Sequence, residues 1–402
     1  MQMALRDKPT SLADGREDDL VEVAHGMIAA LRSRAGETEK LRRIPDETEQ
    51  AFRAAGLYNI FKPREFGGDE LAYGAHTRIA MELARGCVSS AWAYSVTACH
   101  SWILGMFPIE CQREVWGAHP DATVASSFLP ADVKMQRVEG GFHVSGRWRF
   151  SSNVLHCQAC ILLVVEPRKD APPKQYFALI TRDQYEVEET WNVMGLAGTG
   201  SNDVLVKQTF IPEHRLLELV PTREAVSPGG RHHGDSDLYN MPLFAPFAHS
   251  LVGPAVGGAM GALDVVLEEL VDRKSVGHVQ LSQQQSVQMR VAEATAEIEA
   301  ARALLCVDRD KILHGAARRE LPDYEQRVKY RLNAGYAAKL AVQAVERLLP
   351  LSGGRGLENT HPLQRAWRDV HAVAQHIALV WDVQTLNYGS VRMGYAAMDP
   401  RI

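Results

Sequence analysis

The sequence predicts an α+β fold in which a helical domain, a β-domain and a second helical domain follow one another along the chain. Apolar residues recur at helical spacing over residues 17–118, β-branched and aromatic runs occupy residues 122–216, and helical spacing returns from about residue 250. Strands that are segregated from helices in this way argue against a parallel α/β sheet. We therefore predict three domains, over residues 1–120, 121–225 and 226–402.

The first domain is predicted to contain four helices. The first helix has an apolar face made of Leu20, Val23, Ala24, Met27 and Leu31. Pro45 is predicted to occupy the first position of the second helix, which Gly56 ends. Two further helices are expected between Ala75 and Phe107.

Three strands are predicted in the second domain, over residues 142–150, 158–167 and 174–183. Each run is rich in β-branched and aromatic residues and is bounded by Gly, Pro or Asp. Residues 220–246 are predicted to form a loop, because glycine, proline and histidine are frequent there. The adjacent His232 and His233 in this loop are expected to have no catalytic role.

The segment Met241–Leu263 has no Asp, Glu, Lys or Arg and is long enough to be considered as a membrane span. It contains Pro242, Pro246 and Pro254, and proline interrupts helices. We therefore predict a loop that leads into a buried helix, and no membrane-spanning segment.

Composition and motifs disfavour several classes of function. The chain has 402 residues and a formal net charge of −5, without the basic stripe of a nucleic-acid-binding protein. A cytoplasmic protein is expected, because the polar N-terminus lacks a signal-peptide core and six cysteines do not make a disulfide framework. Cys157 and Cys160 lack the further ligands of a zinc site, so they are predicted to be buried packing residues and no metal site is expected. No G-x-G-x-x-G motif follows a strand and opens a helix, which disfavours a Rossmann nicotinamide site.

Four motifs, in their order along nearly the whole chain, resemble those of the acyl-CoA dehydrogenase superfamily. They are Phe66-Gly67-Gly68, Gly146-Arg147-Trp148-Arg149-Phe150-Ser151-Ser152-Asn153, Arg273-Lys274-Ser275-Val276-Gly277, and Gly353-Gly354 followed by Pro362, Arg365, Arg368 and Asp369. The resemblance implies an N-terminal helical domain, a central antiparallel β-domain and a C-terminal four-helix bundle. It also implies a homotetramer in which Arg273 reaches the flavin phosphates across a subunit interface.

The main departure from the dehydrogenases lies near the C-terminus. Where many of them carry a catalytic Glu in a Tyr-Glu-Gly triplet, this chain has His376-Ile377-Ala378. Removal of the α-proton of an acyl thioester needs a carboxylate base, and isoleucine cannot supply one. An acyl-CoA dehydrogenase is therefore the less favoured alternative, which stays open because some dehydrogenases place this Glu on another helix.

The segment from Arg368 to His376 resembles instead the flavin monooxygenases of this fold. These include the oxygenase components of two-component phenol hydroxylases, among them the hydroxyphenylacetate and 9,10-secosteroid phenol hydroxylases. Four further segments match this group: Ser89-Ser90-Ala91-Trp92, Cys99-His100-Ser101-Trp102, Phe150-Ser151-Ser152-Asn153 with His156, and the loop from Trp191 to Asn202. Asn153 stands where the group has Gly, and Ala197 where it has Arg, so the pocket is expected to differ in shape and polarity.

The resemblance implies a monooxygenase that hydroxylates a phenolic or fused aromatic molecule through a C4a-hydroperoxyflavin. It would use O2 and reduced FMN or FAD delivered by a separate NAD(P)H:flavin reductase. His376 and His100 would act as the base for the phenol and as the support for the distal oxygen, in an order that stays open, since histidine titrates near neutral pH. Ser152 would hydrogen-bond the N5 side of the flavin. The implied flavin-binding residues are Trp92, Ser127, Phe150, Ser152, Arg273, Gly353 and Gly354.

Two further functions remain open. An N-oxygenase of amines or amino sugars on the same fold would need no phenol base, and it would therefore tolerate the loss of His100. A non-catalytic flavin-binding protein would oxidise no substrate at all. His156 could equally serve as a structural residue at a strand end.

Overall fold

The computed structural model describes residues 12–274 and 277–399. Its first part is helical and ends in a short π-helical turn, Arg113–Gly117. The helices are α1 (Leu12–Gly26), α2 (Ile28–Leu41), α3 (Asp46–Ala54), α4 (Ala75–Gly86), α5 (Val88–Leu104) and α6 (Ile109–Gln112). The two helices expected between Ala75 and Phe107 are therefore α4 and α5.

Two predictions about the first helices are wrong in detail. The single helix expected around Leu20–Leu31 is broken at Met27, between α1 and α2, and glycine at position 26 disfavours a continuous helix there. Val23, which was assigned to the apolar face, is 40% exposed. Pro45 is the residue before α3 and not its first residue, because its extended backbone (φ −61°, ψ 151°) does not continue the helix.

The central part consists of two four-stranded sheets. In chain order the strands are β1 (Val124–Ser127), β2 (Leu129–Val138), β3 (Gly141–Ser151), β4 (Ala159–Glu166), β5 (Lys174–Thr181), β6 (Glu186–Glu188), β7 (Asn202–Pro212) and β8 (Leu216–Glu218). One sheet has the order β1-β4-β5-β8 and the other β2-β3-β7-β6. The three predicted strands correspond to β3, β4 and β5. Apolar side chains from both sheets, among them Phe142, Trp148, Leu162 and Ile180, form one buried cluster.

One strand pair corrects the prediction of an antiparallel domain. β1 pairs with β4 in parallel, with Val124 opposite Ala159, whereas the other pairs of the two sheets are antiparallel. The reason is the chain path, since the β2–β3 hairpin lies in the second sheet before the chain returns to β4. A parallel pair needs such a crossover between its strands.

The C-terminal part is helical again, after the short helices α7 (Leu219–Arg223) and α8 (Pro228–His232). Its helices are α9 (His249–Leu270), α10 (Gln285–Ala317), α11 (Tyr324–Leu348), α12 (Pro362–Ala374) and α13 (Trp381–Arg392). The loop predicted over residues 220–246 is interrupted by α7 and by α8, which Ser227 caps and Pro228 begins. Its remainder leads into a buried helix as expected, since α9 begins at His249. The length and composition of α9 would allow it to cross a membrane, but 78% of its most apolar window is buried inside the protein. The domain limits at residues 120 and 225 stay a prediction.

Helix α5 carries two of the predicted site residues, and its packing decides where they lie. Every residue of α5 is buried. The helix runs antiparallel to α9, because Val88 packs at Gly258 while the Ser95 hydroxyl donates to the Ser250 carbonyl over 2.6 Å. The N-terminal end of α5 lies beside α12, where the Ser89 hydroxyl contacts Asp369, and its C-terminal half lies beside β1, where His100 contacts the Val124 carbonyl.

Candidate active site

A chain of buried hydroxyl groups lies at the N-terminal end of α5. The Trp92 indole donates to the Ser152 hydroxyl over 3.1 Å, and Ser152 is hydrogen-bonded to Ser201 over 2.7 Å. Ser201 in turn contacts the Thr199 hydroxyl at 2.6 Å. The structure thus brings the predicted residues Trp92 and Ser152 together. Ser201 and Thr199 were not predicted as individual site residues, although they belong to the loop from Trp191 to Asn202, the glycine-rich loop, which is one of the segments that match the monooxygenase group.

His376 completes this cluster. Its ring centroid is 5.7 Å from that of Trp92, and the planes are inclined by 55°. The prediction that His376 lies on a helix is wrong, because α12 ends at Ala374 and the His376 carbonyl accepts from Leu379 in a separate turn. The Ala378 amide donates to Nδ1 of His376 over 3.2 Å. In the neutral ring this leaves the proton on Nε2.

A β-bulge presents Phe150 at the surface of this cluster. The register between β3 and β7 shifts between Trp148 and Ser151, and Phe150 has φ 63°, a conformation that bulky residues seldom adopt. Its ring is 55% exposed and packs edge-on against Trp191 at 5.8 Å. The Ser127 hydroxyl donates to the Arg149 carbonyl and so supports the bulge. Bulges of this kind re-aim a side chain next to functional sites.

His100 lies further along α5 and is held from both sides. The Val124 carbonyl is 2.8 Å from Nδ1, so Nδ1 must carry the proton, and Nε2 accepts from the Ser126 hydroxyl over 2.7 Å. Burial lowers the pKa of His100 to about 4. The ring is therefore neutral at pH 7, with its lone pair at the Ser126 hydroxyl.

Ser126 is a site residue that the sequence reasoning missed. Adjacent residues of a strand point to opposite faces, so only one of Ser126 and Ser127 can face α5. The sequence motifs implied Ser127 as a flavin-binding residue and did not single out Ser126. The structure places Ser126 against His100 and Ser127 against the bulge.

The two departures in the glycine-rich loop and in the β3 turn have structural consequences. Asn153 adopts φ 56°, the left-handed conformation that asparagine tolerates, and its amide donates to the Thr97 hydroxyl over 3.2 Å. Thr97 lies between Trp92 and His100 in the sequence of α5. Ala197 is buried and brings no charge to the loop. Compared with the group it resembles, this chain therefore has an added amide at Asn153 and lacks a guanidinium at Ala197.

Asp369, on α12, anchors the glycine-rich loop. Its carboxylate accepts from the Leu196 amide over 2.6 Å and from the Ser89 hydroxyl over 3.3 Å. Leu196 has φ 56°, and its carbonyl accepts from the Trp191 indole over 2.8 Å. Burial raises the pKa of Asp369 to about 6, because the group is removed from water and these hydrogen bonds only partly compensate. The loop is thus tied to α12 beside the Trp92 cluster.

Arg273 and the Gly353-Gly354 pair form a second, separate cluster. The Arg273 guanidinium donates to the carbonyls of Leu351 (2.8 Å) and Ser352 (2.6 Å), and Gly353 has φ 57°. A Cβ atom on Gly353 would lie 3.0 Å from the guanidinium. Residues Ser275 and Val276 of the matching motif lie outside the described residues.

The two clusters do not share a pocket within one chain. On the antiparallel helix α9, Gly258 lies opposite Val88 and Ser250 lies opposite Ser95. Trp92, midway between Val88 and Ser95, is therefore at about the height of Pro254 on α9. The sixteen residues from there to the end of α9 at Leu270 correspond to about 24 Å along the helix axis. Contact of Arg273 with a flavin across a subunit interface stays a prediction.

Other predicted residues have packing roles in the structure. Cys157 and Cys160 are both free and buried, as predicted. Nε2 of His156 lies 3.1 Å from the Ile44 carbonyl and 3.3 Å from the Arg43 guanidinium. His156 therefore ties the β-domain to the segment before α3.

The residues of the first cluster suit a flat heteroaromatic ring such as that of a flavin. Such a ring needs apolar surface for its faces and hydrogen-bonding groups at its edge. Phe150, which is 55% exposed, offers apolar surface beside the buried hydroxyl groups of Ser152 and Ser201. The described residues thus fit the cofactor that the sequence motifs imply.

Comparisons with known proteins agree with this geometry. Residues 18–118 match the family model for the acyl-CoA dehydrogenase N-terminal domain, and residues 249–381 match that for the C-terminal domain. The FADH(2)-dependent resorcinol hydroxylase, oxygenase component, of Rhizobium sp. strain MTP-10005 is 34% identical over 386 residues, which cover 93% of this chain and 94% of that protein. The flavin-dependent monooxygenase oxygenase subunit HsaA of Rhodococcus jostii is 32% identical, covering 94% of this chain and 98% of the subunit.

A solved structure supports the same assignment. The crystal structure of 3-HSA hydroxylase from Rhodococcus sp. RHA1 superposes with a TM-score of 0.88 and 30% identity, covering 98% of this chain and 99% of the hydroxylase. The relatives are flavin-dependent oxygenases, and their similarity extends over nearly the whole chain. The chain therefore belongs to the acyl-CoA dehydrogenase family and, within it, to the oxygenase components of the flavin-dependent monooxygenases.

Proposed function

We propose that this protein hydroxylates a phenolic or fused aromatic molecule with O2 and reduced FMN or FAD, which a separate NAD(P)H:flavin reductase supplies. The observation that carries the proposal is the neutral, buried His100. It lies on α5, the helix that also presents Trp92 to Ser152, and its Nε2 is 2.7 Å from the hydroxyl of Ser126 on β1. Relatives named for resorcinol and p-hydroxyphenylacetate hydroxylation support a phenol as the substrate class.

The reduced flavin, when bound, supplies two electrons and activates O2, so that one oxygen atom enters the ring and the other leaves as water. His100 accepts the phenol proton at Nε2, directly or through the Ser126 hydroxyl, while Nδ1 keeps its hydrogen bond to Val124. Loss of this proton raises the electron density of the aromatic ring, which favours attack on an electrophilic oxygen. In this proposal His100 would be the base, and His376, whose ring lies 5.7 Å from that of Trp92, would support the oxygen that is transferred.

Ser152 and its neighbours would orient the flavin. The Ser152 hydroxyl accepts a hydrogen bond from Trp92. The Ser152 proton is then left to donate either to Ser201 or to a ring nitrogen of the flavin. Phe150 would cover the ring, and Ser127 would hold the bulge that aims Phe150. Together these side chains keep water away from the reacting atoms, which protects reactive oxygen chemistry.

The remaining roles rest on the sequence motifs. Arg273 and the backbone of Gly353 and Gly354 would bind the flavin phosphates, since a guanidinium fork matches phosphate oxygens. Their separation from Trp92 supports a contact contributed by another subunit, and the homotetramer is what the family resemblance implies. Six free cysteines agree with a cytoplasmic location.

The test is a single-turnover reaction with isotopically labelled oxygen. Photoreduced FAD or FMN is bound to the full-length protein, mixed with ¹⁸O2 and resorcinol, p-hydroxyphenylacetate or naphthol, and the products are analysed by mass spectrometry. We expect one labelled oxygen atom in a hydroxylated phenol. Stoichiometric H2O2 with every phenol would overturn the proposal. Labelled hydroxylamines from amine substrates, unaffected by His100→Ala, would establish the N-oxygenase instead.

A further inference from the structure

Three side chains that could bind a metal ion converge on the surface outside the active site. Glu65 lies in the turn between α3 and α4, His232 is the last residue of α8, and His233 follows it. One ligand atom of each residue lies within 4.8 Å of the others. Nε2 of His232 is 2.8 Å from the Glu65 carboxylate, and the two imidazole rings are nearly perpendicular, with centroids 4.8 Å apart.

A buried amide fixes which nitrogen His233 offers. Gln112 is fully buried, and its amide nitrogen donates to the carbonyls of Gly105 (3.0 Å) and Phe107 (2.8 Å). Its oxygen must therefore accept, and it lies 2.9 Å from Nε2 of His233. Nε2 thus carries the proton, which leaves the lone pair of the neutral ring on Nδ1. A hydrogen bond from the second nitrogen to a fixed acceptor is how metal-binding histidines are oriented in proteins.

We propose that Glu65, His232 and His233 bind a zinc ion, with water as the fourth ligand. Two imidazoles and one carboxylate are a donor set that zinc prefers in tetrahedral geometry. Ligand atoms at about 2.1 Å from zinc are about 3.4 Å apart in a tetrahedron, so no pair has to close by more than about 1.4 Å. Glu65 and His232 are exposed and can make this adjustment by side-chain rotation.

The ion would connect parts of the chain that are distant in sequence. Glu65 belongs to the N-terminal helical part, whereas His232 and His233 belong to the segment that joins the β-domain to α9. Gln112, at the end of α6, supports the site from a third segment. Bound zinc would therefore fasten the joining segment to the N-terminal part and stabilise the folded protein, since it binds no comparable site in the unfolded chain.

The chain offers a matched control. His214 and Glu114 form a similar exposed pair, with Nε2 2.7 Å from the carboxylate, and the described residues place no second imidazole in that group. If an exposed His–Glu pair were enough, both pairs would bind zinc equally. The proposal requires that only the pair with His233 does so.

The experiment is a zinc titration of the EDTA-treated, full-length protein against a chromophoric chelator, with thermal unfolding as a second readout. We expect one zinc ion to bind tightly per chain. Its affinity should fall by at least about 100-fold in Glu65→Gln and in His232→Ala, and stay unchanged in His214→Ala. Zinc should raise Tm in the wild type and in His214→Ala only. Because both altered side chains are exposed, the variants should fold. Equal zinc affinity in all four proteins, or no tight equivalent in the wild type, would refute the site.

Discussion

The protonation state of His100 makes a quantitative prediction about the pH dependence of hydroxylation. A free histidine has a pKa of about 6.5, but burial lowers that of His100 to about 4. Because the pKa is lowered, the neutral, proton-accepting form dominates at every pH above about 4. At pH 5 only about 9% of His100 is protonated, whereas about 97% of an unperturbed histidine would be.

The two cases differ by more than an order of magnitude in rate. Between pH 7 and pH 5, the single-turnover rate constant of hydroxylation should fall by only about 10% on account of His100, against about 25-fold for an unperturbed histidine. The assay is single-turnover hydroxylation with pre-reduced flavin, so that the reductase does not contribute to the profile. His100→Ala should lower hydroxylation by about 10² to 10⁴, the usual contribution of a general base, without slowing flavin reoxidation.

The pH profile of hydroxylation also contains the titration of a second buried group, Asp369, which has to be distinguished from that of His100. Asp369 has a pKa raised to about 6 and anchors the loop beside the flavin site, so its titration could produce a limb near pH 6. Asp369→Asn keeps an oxygen to accept from Leu196 and removes the titration. A limb near pH 6.5 that persists in Asp369→Asn and disappears in His100→Ala would refute the assignment of a neutral, low-pKa base.

Three further predictions follow from individual contacts. Ser152→Ala should divert turnover from product to H2O2 by roughly tenfold, because it removes a buried hydrogen bond, whereas Ser152→Thr keeps the hydroxyl and most of the product; unchanged product yield in the alanine variant would contradict the role of Ser152. Arg273→Lys should weaken flavin binding by roughly tenfold in a fluorescence titration, because lysine lacks the guanidinium fork, while the pH profile stays unchanged; an unaltered Kd would remove Arg273 from the flavin site. His76 is fully buried, and burial lowers its pKa to about 3. Below about pH 6.5 the unfolded chain therefore binds a proton that the folded protein does not, and the free energy of unfolding decreases as the pH is lowered. Between pH 7 and pH 5 the free energy of unfolding should therefore drop by about 2 kcal/mol more in the wild type than in His76→Leu, as measured by urea denaturation; parallel losses would contradict this reasoning.

The sequence by itself determined the order of helices and strands and the membership of the family. These depend on local periodicity and on short motifs, and each residue contributes its own propensity wherever the chain goes. The positions of α4, α5, β3, β4 and β5 were predictable for this reason. So were Trp92 and Ser152 as members of one cluster, since both lie in motifs that the family shares.

Only the tertiary structure decided how distant residues meet. Ser126 meets His100 because of the face that β1 packs against α5, and the turn that carries His376 depends on where α12 ends. The parallel pairing of β1 with β4 depends on a hairpin placed in the other sheet. Glu65 and His232 are separated by 167 residues and yet form a 2.8 Å contact. Such contacts arise from the packing of whole elements, and a single sequence records the pattern along each element but not the direction in which its neighbour approaches.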